Sequence, residues 1–171
     1  MNRHIFLIGF MGVGKSTVSQ KLKELMKADE MDMDAAIVRE TGMSISEMFE
    51  RFGEDFFRKK ETELLRRIAG SDPMIVSCGG GCVLREENVA VMRECGTIVL
   101  LTAEPTTIYH RVRYGTGRPI LNGHMNVDYI AGLMEKRRAA YEGACDLSIS
   151  TDGKRPAQIA DEIVKKMMEM K

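Results

Sequence analysis

His4-Ile5-Phe6-Leu7-Ile8-Gly9-Phe10-Met11-Gly12-Val13-Gly14-Lys15-Ser16 is the stretch on which the fold turns. Its first five residues form an apolar run of strand length, and beyond it Val18, Leu22, Leu25 and Met26 recur at helical spacing as one core-facing stripe. Between the two, Gly9 to Ser16 matches GxxxxGK[ST] in full, in the strand-then-helix context which that motif requires. Glycines let successive backbone N–H groups converge on phosphate oxygens, and the N-terminus of the following helix adds a favourable dipole. Lys15 reaches the terminal phosphates, Ser16 can ligate magnesium, and Gly12, Val13, Gly14 and Thr17 complete the nucleotide-binding set. This phosphate-binding loop (P-loop) predicts a bound nucleoside triphosphate. No NKxD-type sequence and no DxxG switch element follows it, so ATP is expected and a GTPase switch is disfavoured.

Further strand-length runs at Met74 to Cys78, Thr97 to Thr102 and Leu147 to Thr151 alternate with helical segments, which predicts a parallel sheet with helices on both faces. Ser44 and Glu47 have capping-box spacing ahead of Met48 and Phe49, and Phe57, Leu64, Leu65 and Ile68 define the face of the next helix. Pro105 suits the first turn of a helix running towards Val112, and Gly115, Gly117 and Pro119 interrupt its continuation, marking a candidate mobile loop. Ile159, Ile163, Val164, Met167 and Met168 make a C-terminal core stripe.

With 171 residues, no internal repeat and no dividing linker, one domain is expected. Lysine plus arginine (25) balances aspartate plus glutamate (25), so no broad field favours nucleic acid or an anionic membrane, and an anion must be held locally. The first strand begins too early to leave room for a signal peptide's apolar region, so a cytoplasmic location is expected. Cys78, Cys82, Cys95 and Cys145 lack zinc-site spacing and read as reduced apolar filler, as do most of the 14 methionines.

The acceptor side rests on several weaker features. Asp32 and Asp34, if extended, would project from one face with α-carbons about 7 Å apart. One could order the water shell of magnesium while the other grips an acceptor hydroxyl as general base; the bland alternative is a solvated acidic turn within Asp29 to Asp34. Gly79, Gly80 and Gly81 put bare backbone at the carboxyl end of a strand, which permits close approach of a ligand or merely a flexible turn. Ser77 stands near where many P-loop proteins place a magnesium-ordering aspartate, so Asp32 is a candidate to supply that acid. Ile130, Leu133, Met134 and Tyr141 put Arg137 on the apolar side of its helix, where a charge wants an anionic partner. Arg58 borders another apolar face, and either forms a helical ion pair with Glu54 or Glu61 or joins Arg137 to clamp a carboxylate. Arg111, Arg113 and Arg118 surround the glycine-bearing loop, where one could close onto a transferring phosphoryl group.

Taken together, the P-loop, Asp32 and Asp34, Gly53 to Arg58, Gly79 to Gly81, Arg118 to Leu121, and Arg137 four residues before Tyr141 resemble the shikimate kinase family along essentially the whole chain. The resemblance implies an α/β P-loop NTPase of nucleoside-monophosphate-kinase-like fold, a three-layer parallel sheet that forms a single kinase domain over 1–171. Its acceptor-binding region would span about 32–62 and its lid about 112–125. It implies transfer of the γ-phosphate of ATP, with Mg2+, to the 3-hydroxyl of shikimate in aromatic amino acid (chorismate) biosynthesis, by a monomer. Lys15, Asp34 and Arg118 would then be catalytic; Gly12 to Thr17, Arg111, Arg118 and Arg155 would bind nucleotide; Asp34, Arg58, Gly79, Gly80, Gly81 and Arg137 would bind the acceptor; Ser16 and, through water, Asp32 would hold the metal. Met33 replaces the family's usual threonine or serine, and Ala139 a common proline, which puts metal affinity and helix-end stiffness in question. The rivals are another small-metabolite kinase, such as a gluconate kinase, and a non-catalytic nucleotide-binding regulator.

Overall fold

A computed structural model describes residues 1–114 and 126–170. Five strands form one wholly parallel sheet: β1 (His4–Ile8), β2 (Asp29–Asp32), β3 (Met74–Ser77), β4 (Gly96–Thr102) and β5 (Leu147–Ser150), in the spatial order β2-β3-β1-β4-β5. Every residue of β1 is buried, which an unbroken apolar run requires when helices cover both faces of a parallel sheet. One helical group is α1 (Lys15–Met26) packed on α8 (Pro156–Glu169), and these reach the sheet through β3 and β5 respectively. Another comprises α4 (Glu54–Ala69), α5 (Glu86–Cys95) and α7 (Val127–Ala144), with α5 and α7 lying against β4. The segment between β2 and β3 supplies α2 (Met33–Thr41), α3 (Ile45–Phe52) and α4, while α6 (Pro105–Val112) follows β4.

Local signals set most of these boundaries. Ser44 accepts from the Glu47 N–H at 3.1 Å while the Glu47 carboxylate accepts from the Ser44 N–H at 2.7 Å, the reciprocal cap that starts α3. Pro105 opens α6, where its missing N–H costs nothing. At Gly12 the backbone is left-handed, with φ 82°, and a Cβ there would lie 2.7 Å from Val112 Cγ1, so only glycine lets α6 press against the P-loop.

Three expectations need correction. The acidic stretch Asp29–Asp32 is the edge strand β2, paired in register with Met74 to Ser77, and not a turn. Leu25 is 49% exposed and Met168 68% exposed, so both lie outside the buried stripes to which helical spacing assigned them. The core face of α1 narrows to Val18 and Leu22, because α8 covers only one side of it. Met33 is fully buried in the core, and Ala139 is exposed on α7.

Leu22→Ala is therefore expected to lower the unfolding free energy by about 2–5 kcal/mol, whereas Leu25→Ala should change it by less than about 0.5 kcal/mol. Urea denaturation of the two variants checks the difference.

Candidate active site

The carboxyl ends of β1, β2 and β3 open into a cleft of about 540 Å³, at the position in an open α/β sheet where ligands bind. Its floor is the P-loop. Lys15 is buried and donates to Gly9 O at 2.7 Å and Phe10 O at 3.1 Å, so loop carbonyls hold its ammonium under the cleft. Burial draws this amine down to about 8, against the opposing pull of Asp34, Cys78 and Asp32. Met11, Gly12, Gly14, Ser16, Thr17 and Arg111 line the same cleft, while Val13 is buried behind them. Arg111 reaches back from α6 to donate to Gly12 O and Val13 O, each at 3.1 Å, tying that helix to the loop.

Asp32 ends β2 and caps α2, accepting from the Ala35 N–H at 3.1 Å. Its other oxygen accepts from Ser16 Oγ at 2.5 Å, and Ser77 Oγ lies 3.5 Å from Ser16 Oγ. Three hard oxygens thus meet beside the P-loop. Asp34 lies in the first turn of α2 rather than on an extended strand with Asp32, and both carboxylates still line the cleft. Burial first, and the Asp32 charge second, push the Asp34 carboxyl above its ordinary range, while Lys15 and Arg58 pull it back. Its buried Oδ1 has no hydrogen-bond partner.

Across from Asp34 run the three consecutive glycines. A Cβ on Gly79 would sit 2.5 Å from Glu61 Oε1 and 2.8 Å from Asp34 Oδ1; on Gly81 it would sit 2.5 Å from the Arg58 guanidinium; on Gly80, 3.6 Å from Arg137 Nη1. A side chain at Gly79 or Gly81 would displace a charged group, whereas a Cβ at Gly80 would stand in ordinary contact with its neighbours. Gly80 O accepts from the Tyr141 hydroxyl at 2.5 Å, which pins the turn to α7. Arg137, 6% exposed, lies 5.7 Å over the Phe10 ring, and its buried Nη1 also lacks a partner.

Arg58 takes up both of the ion pairs that helical spacing offers. Its Nη1 lies 2.8 Å from Glu61 Oε2 and its Nη2 2.9 Å from Glu54 Oε1. Glu61 has no exposed side-chain area, so its pair with Arg58 is a buried one. Burial pushes its carboxyl up to about 7, against the Arg58 charge, and its Oε1 is the third unpartnered buried polar atom of this cleft. The signal for Glu61 was available in its position three residues after Arg58, but burial of that helical face was not. Three sequence candidates fall elsewhere. Arg155 is exposed at the start of α8 and does not line the cleft, Met33 faces the core, and Arg118 lies outside the described residues with the 115–125 part of the expected lid.

A buried oxygen of Asp34 and a buried nitrogen of Arg137, each without a hydrogen-bond partner and facing bare backbone beside a P-loop, suit a small molecule bearing both a hydroxyl and an anion. Residues 11–168 match the family model described as shikimate kinase. The chain belongs to the shikimate kinase family. A shikimate kinase of Thermodesulfovibrio yellowstonii is 38% identical over 95% of this chain and 94% of its own length. A solved structure of shikimate kinase from Acinetobacter baumannii in complex with shikimate superposes with a TM-score of 0.95 at 28% identity, covering 99% of this chain and 94% of that one. A gluconokinase from Sinorhizobium meliloti reaches a TM-score of 0.68 at 19% identity over 99% of this chain and 93% of its own, a likeness of fold alone. As in its family, the chain is an ATP-using phosphotransferase with an alcohol group as acceptor. Among the described residues no helix is long and apolar enough to cross a membrane.

Because the folded protein holds the Glu61 proton more tightly than the unfolded chain does, the contribution of this residue to stability is full below pH 4.5 and is lost as pH rises through about 7. Glu61→Gln should flatten that decline by up to about 3 kcal/mol. Denaturant unfolding of both proteins at pH 5 to 8 measures it.

Proposed function

We propose that this cleft transfers the γ-phosphate of ATP to the 3-hydroxyl of shikimate, with the roles of its residues as follows. The observation that carries the reading is the pairing of the unpartnered Asp34 Oδ1 with the unpartnered Arg137 Nη1 across the glycine turn. An acceptor with a hydroxyl and a carboxylate satisfies both at once.

Arg137 and Arg58 grip the carboxylate. Their guanidiniums lie over Gly80 and Gly81, whose α-carbons are about 3.8 Å apart, a spacing that one carboxylate spans. Glu54 and Glu61 hold Arg58 from behind and leave part of its five-donor fork for the ligand. Asp34 accepts the proton of the attacking hydroxyl, a task helped by a carboxyl whose proton affinity burial has raised. The backbone of Gly79 to Gly81 lets the ring approach closely. On the donor side the P-loop N–H groups and Lys15 cradle the phosphates, with Lys15 exchanging loop carbonyls for phosphoryl oxygens. Arg111 braces the loop, and the family resemblance gives Arg118 the place over the transferring group. Arg155 has only that resemblance in its favour as a nucleotide contact.

The oxygens of Ser16, Asp32 and Ser77 suit Mg2+, a hard cation that keeps several waters. Bound there, it would neutralise charge on the phosphates during transfer. Met33, next to Asp32 in sequence, is buried in the core and offers no oxygen to this set. A monomer is the proposed working unit, and a cytoplasmic setting would supply ATP and keep the four thiols reduced.

Coupled ADP-release assays with shikimate, quinate and gluconate should show turnover with shikimate and little with gluconate; the reverse preference excludes the reading, and nucleotide binding without ADP release favours a regulator. Arg137→Ala and Arg58→Ala should each raise the shikimate KM by roughly 30-fold or more, the effect of unpairing a buried charge. Asp34→Asn should instead cut kcat by about 10²- to 10⁴-fold with a smaller change in KM.

A further inference from the structure

Asn88, in the first turn of α5, is 1% exposed, and phosphoryl transfer itself makes no use of an amide there. Its side chain bridges two parts of the acceptor site. The nitrogen donates to Cys82 O at 2.8 Å, and the oxygen accepts from Thr62 Oγ1 at 2.9 Å. A carbonyl can only accept, so Cys82 O fixes which end of the amide faces it, and the Thr62 hydroxyl is then the donor at the other end. Thr62 and Cys82 are buried as well, so neither bond can be exchanged for one to bulk water. Thr62 stands one turn after Arg58 on α4, and its Oγ1 lies 3.1 Å from Arg58 O. Cys82 follows Gly81 directly and opens the one-turn 3-10 helix Cys82–Leu84. Its N–H donates to Gly79 O and the Leu84 N–H to Gly81 O, each at 3.1 Å, so the glycine turn is closed by the segment that Asn88 holds.

We propose that Asn88 is a positioning residue for the acceptor: through Thr62 and Cys82 O it sets the separation between the Arg58 guanidinium and the backbone of the glycine turn, and with it the grip on the acceptor carboxylate. The inference rests on the proposed acceptor site. The ion pairs of Arg58 cannot set that separation, because Glu54 and Glu61 both belong to α4 and fix the guanidinium only relative to its own helix. The separation is narrow, since a Cβ on Gly81 would stand 2.5 Å from the guanidinium. With the bridge cut, Arg58 keeps its charge and its partners while α4 is free to move from the turn, and the carboxylate loses part of its grip. The side-chain bonds of Asn88 run to α4 and to the 3-10 helix and none reaches the P-loop, so nucleotide binding stays as it is. A buried amide that served stability alone would lower the unfolding free energy with no preference between the two substrates.

Steady-state kinetics of the full chain test the role, with denaturant unfolding to establish that each variant is folded. Asn88→Leu, similar in size but without the amide, and Thr62→Val, which removes only the hydroxyl, cut the same bridge from its two ends. Each should raise the shikimate KM by roughly fivefold or more while leaving kcat and the ATP KM within about twofold. In an Arg58→Ala background either change should add less than about twofold, because the group it positions is gone. Thr62→Val keeps the test decisive where Asn88→Leu fails to fold. An unchanged shikimate KM in a folded variant, an equal loss for both substrates, or the full effect persisting in the Arg58→Ala background overturns the positioning role while the acceptor reading stands. Absence of shikimate turnover in the parent chain overturns the acceptor reading, and this inference with it.

Discussion

Three adjacent α-carbons without side chains allow four charged groups to be buried around one small volume. Asp34, Glu61, Arg58 and Arg137 converge on Gly79 to Gly81, and a methyl group on Gly79 or Gly81 would collide with Asp34, Glu61 or Arg58, while one on Gly80 would touch Arg137. Desolvating such groups is costly unless they face one another or a ligand. The sheet makes the arrangement possible. It brings the β3 turn between α2 and α4 on one side and α7 on the other, so that Asp34 reaches the glycines from α2, Arg58 and Glu61 from α4, and Arg137 from α7.

The same turn couples acceptor and donor. Gly80 lies against the P-loop, where a Cβ would stand 3.4 Å from Met11 N and 3.7 Å from Gly9 O. Lys15, held by Gly9 and Phe10, shares its electrostatic surroundings with Asp34 and Arg137. Phe10 carries the Arg137 guanidinium over its ring. Donor and acceptor groups are therefore parts of one packed unit at the carboxyl ends of β1 and β3, and the distance between reacting groups is set by backbone packing rather than by mobile side chains.

What the sequence disclosed was whatever is decided locally. The P-loop, the apolar strands, the cap at Ser44 and the proline start of α6 each depend on residues within a few positions of one another. What it concealed depends on partners far away in the chain. Asp29 to Asp32 carry three acids in four positions and no apolar run, and they are a strand only because Met74 to Ser77 offer an edge to pair with. Asp34 stands on a helix rather than a strand because that pairing ends and α2 begins between it and Asp32. Leu25 satisfies helical periodicity yet stays exposed, since the stripe on α1 is wider than the surface α8 covers. Helical spacing offers Glu61 to Arg58 as an ion-pair partner, and only the packing of α4 against the glycine turn makes it a buried acid. The companions of the P-loop were found by their order along the chain, whereas the three unpartnered atoms that give them purpose exist only in three dimensions.

Strands β2 and β3 are immediate neighbours, and everything between them, α2 through α4, is one excursion from the sheet edge that returns beside its own starting point. Such an excursion is topologically a cassette. Its ends are fixed by four pairs of the register, Asp29 with Met74 through Asp32 with Ser77, and its interior can be rewritten without shifting the strand that bears the P-loop. Asp34, Arg58 and Glu61 thus lie in a segment that can be remodelled while the P-loop keeps its place, whereas Gly79 to Gly81 and Arg137 are anchored outside it.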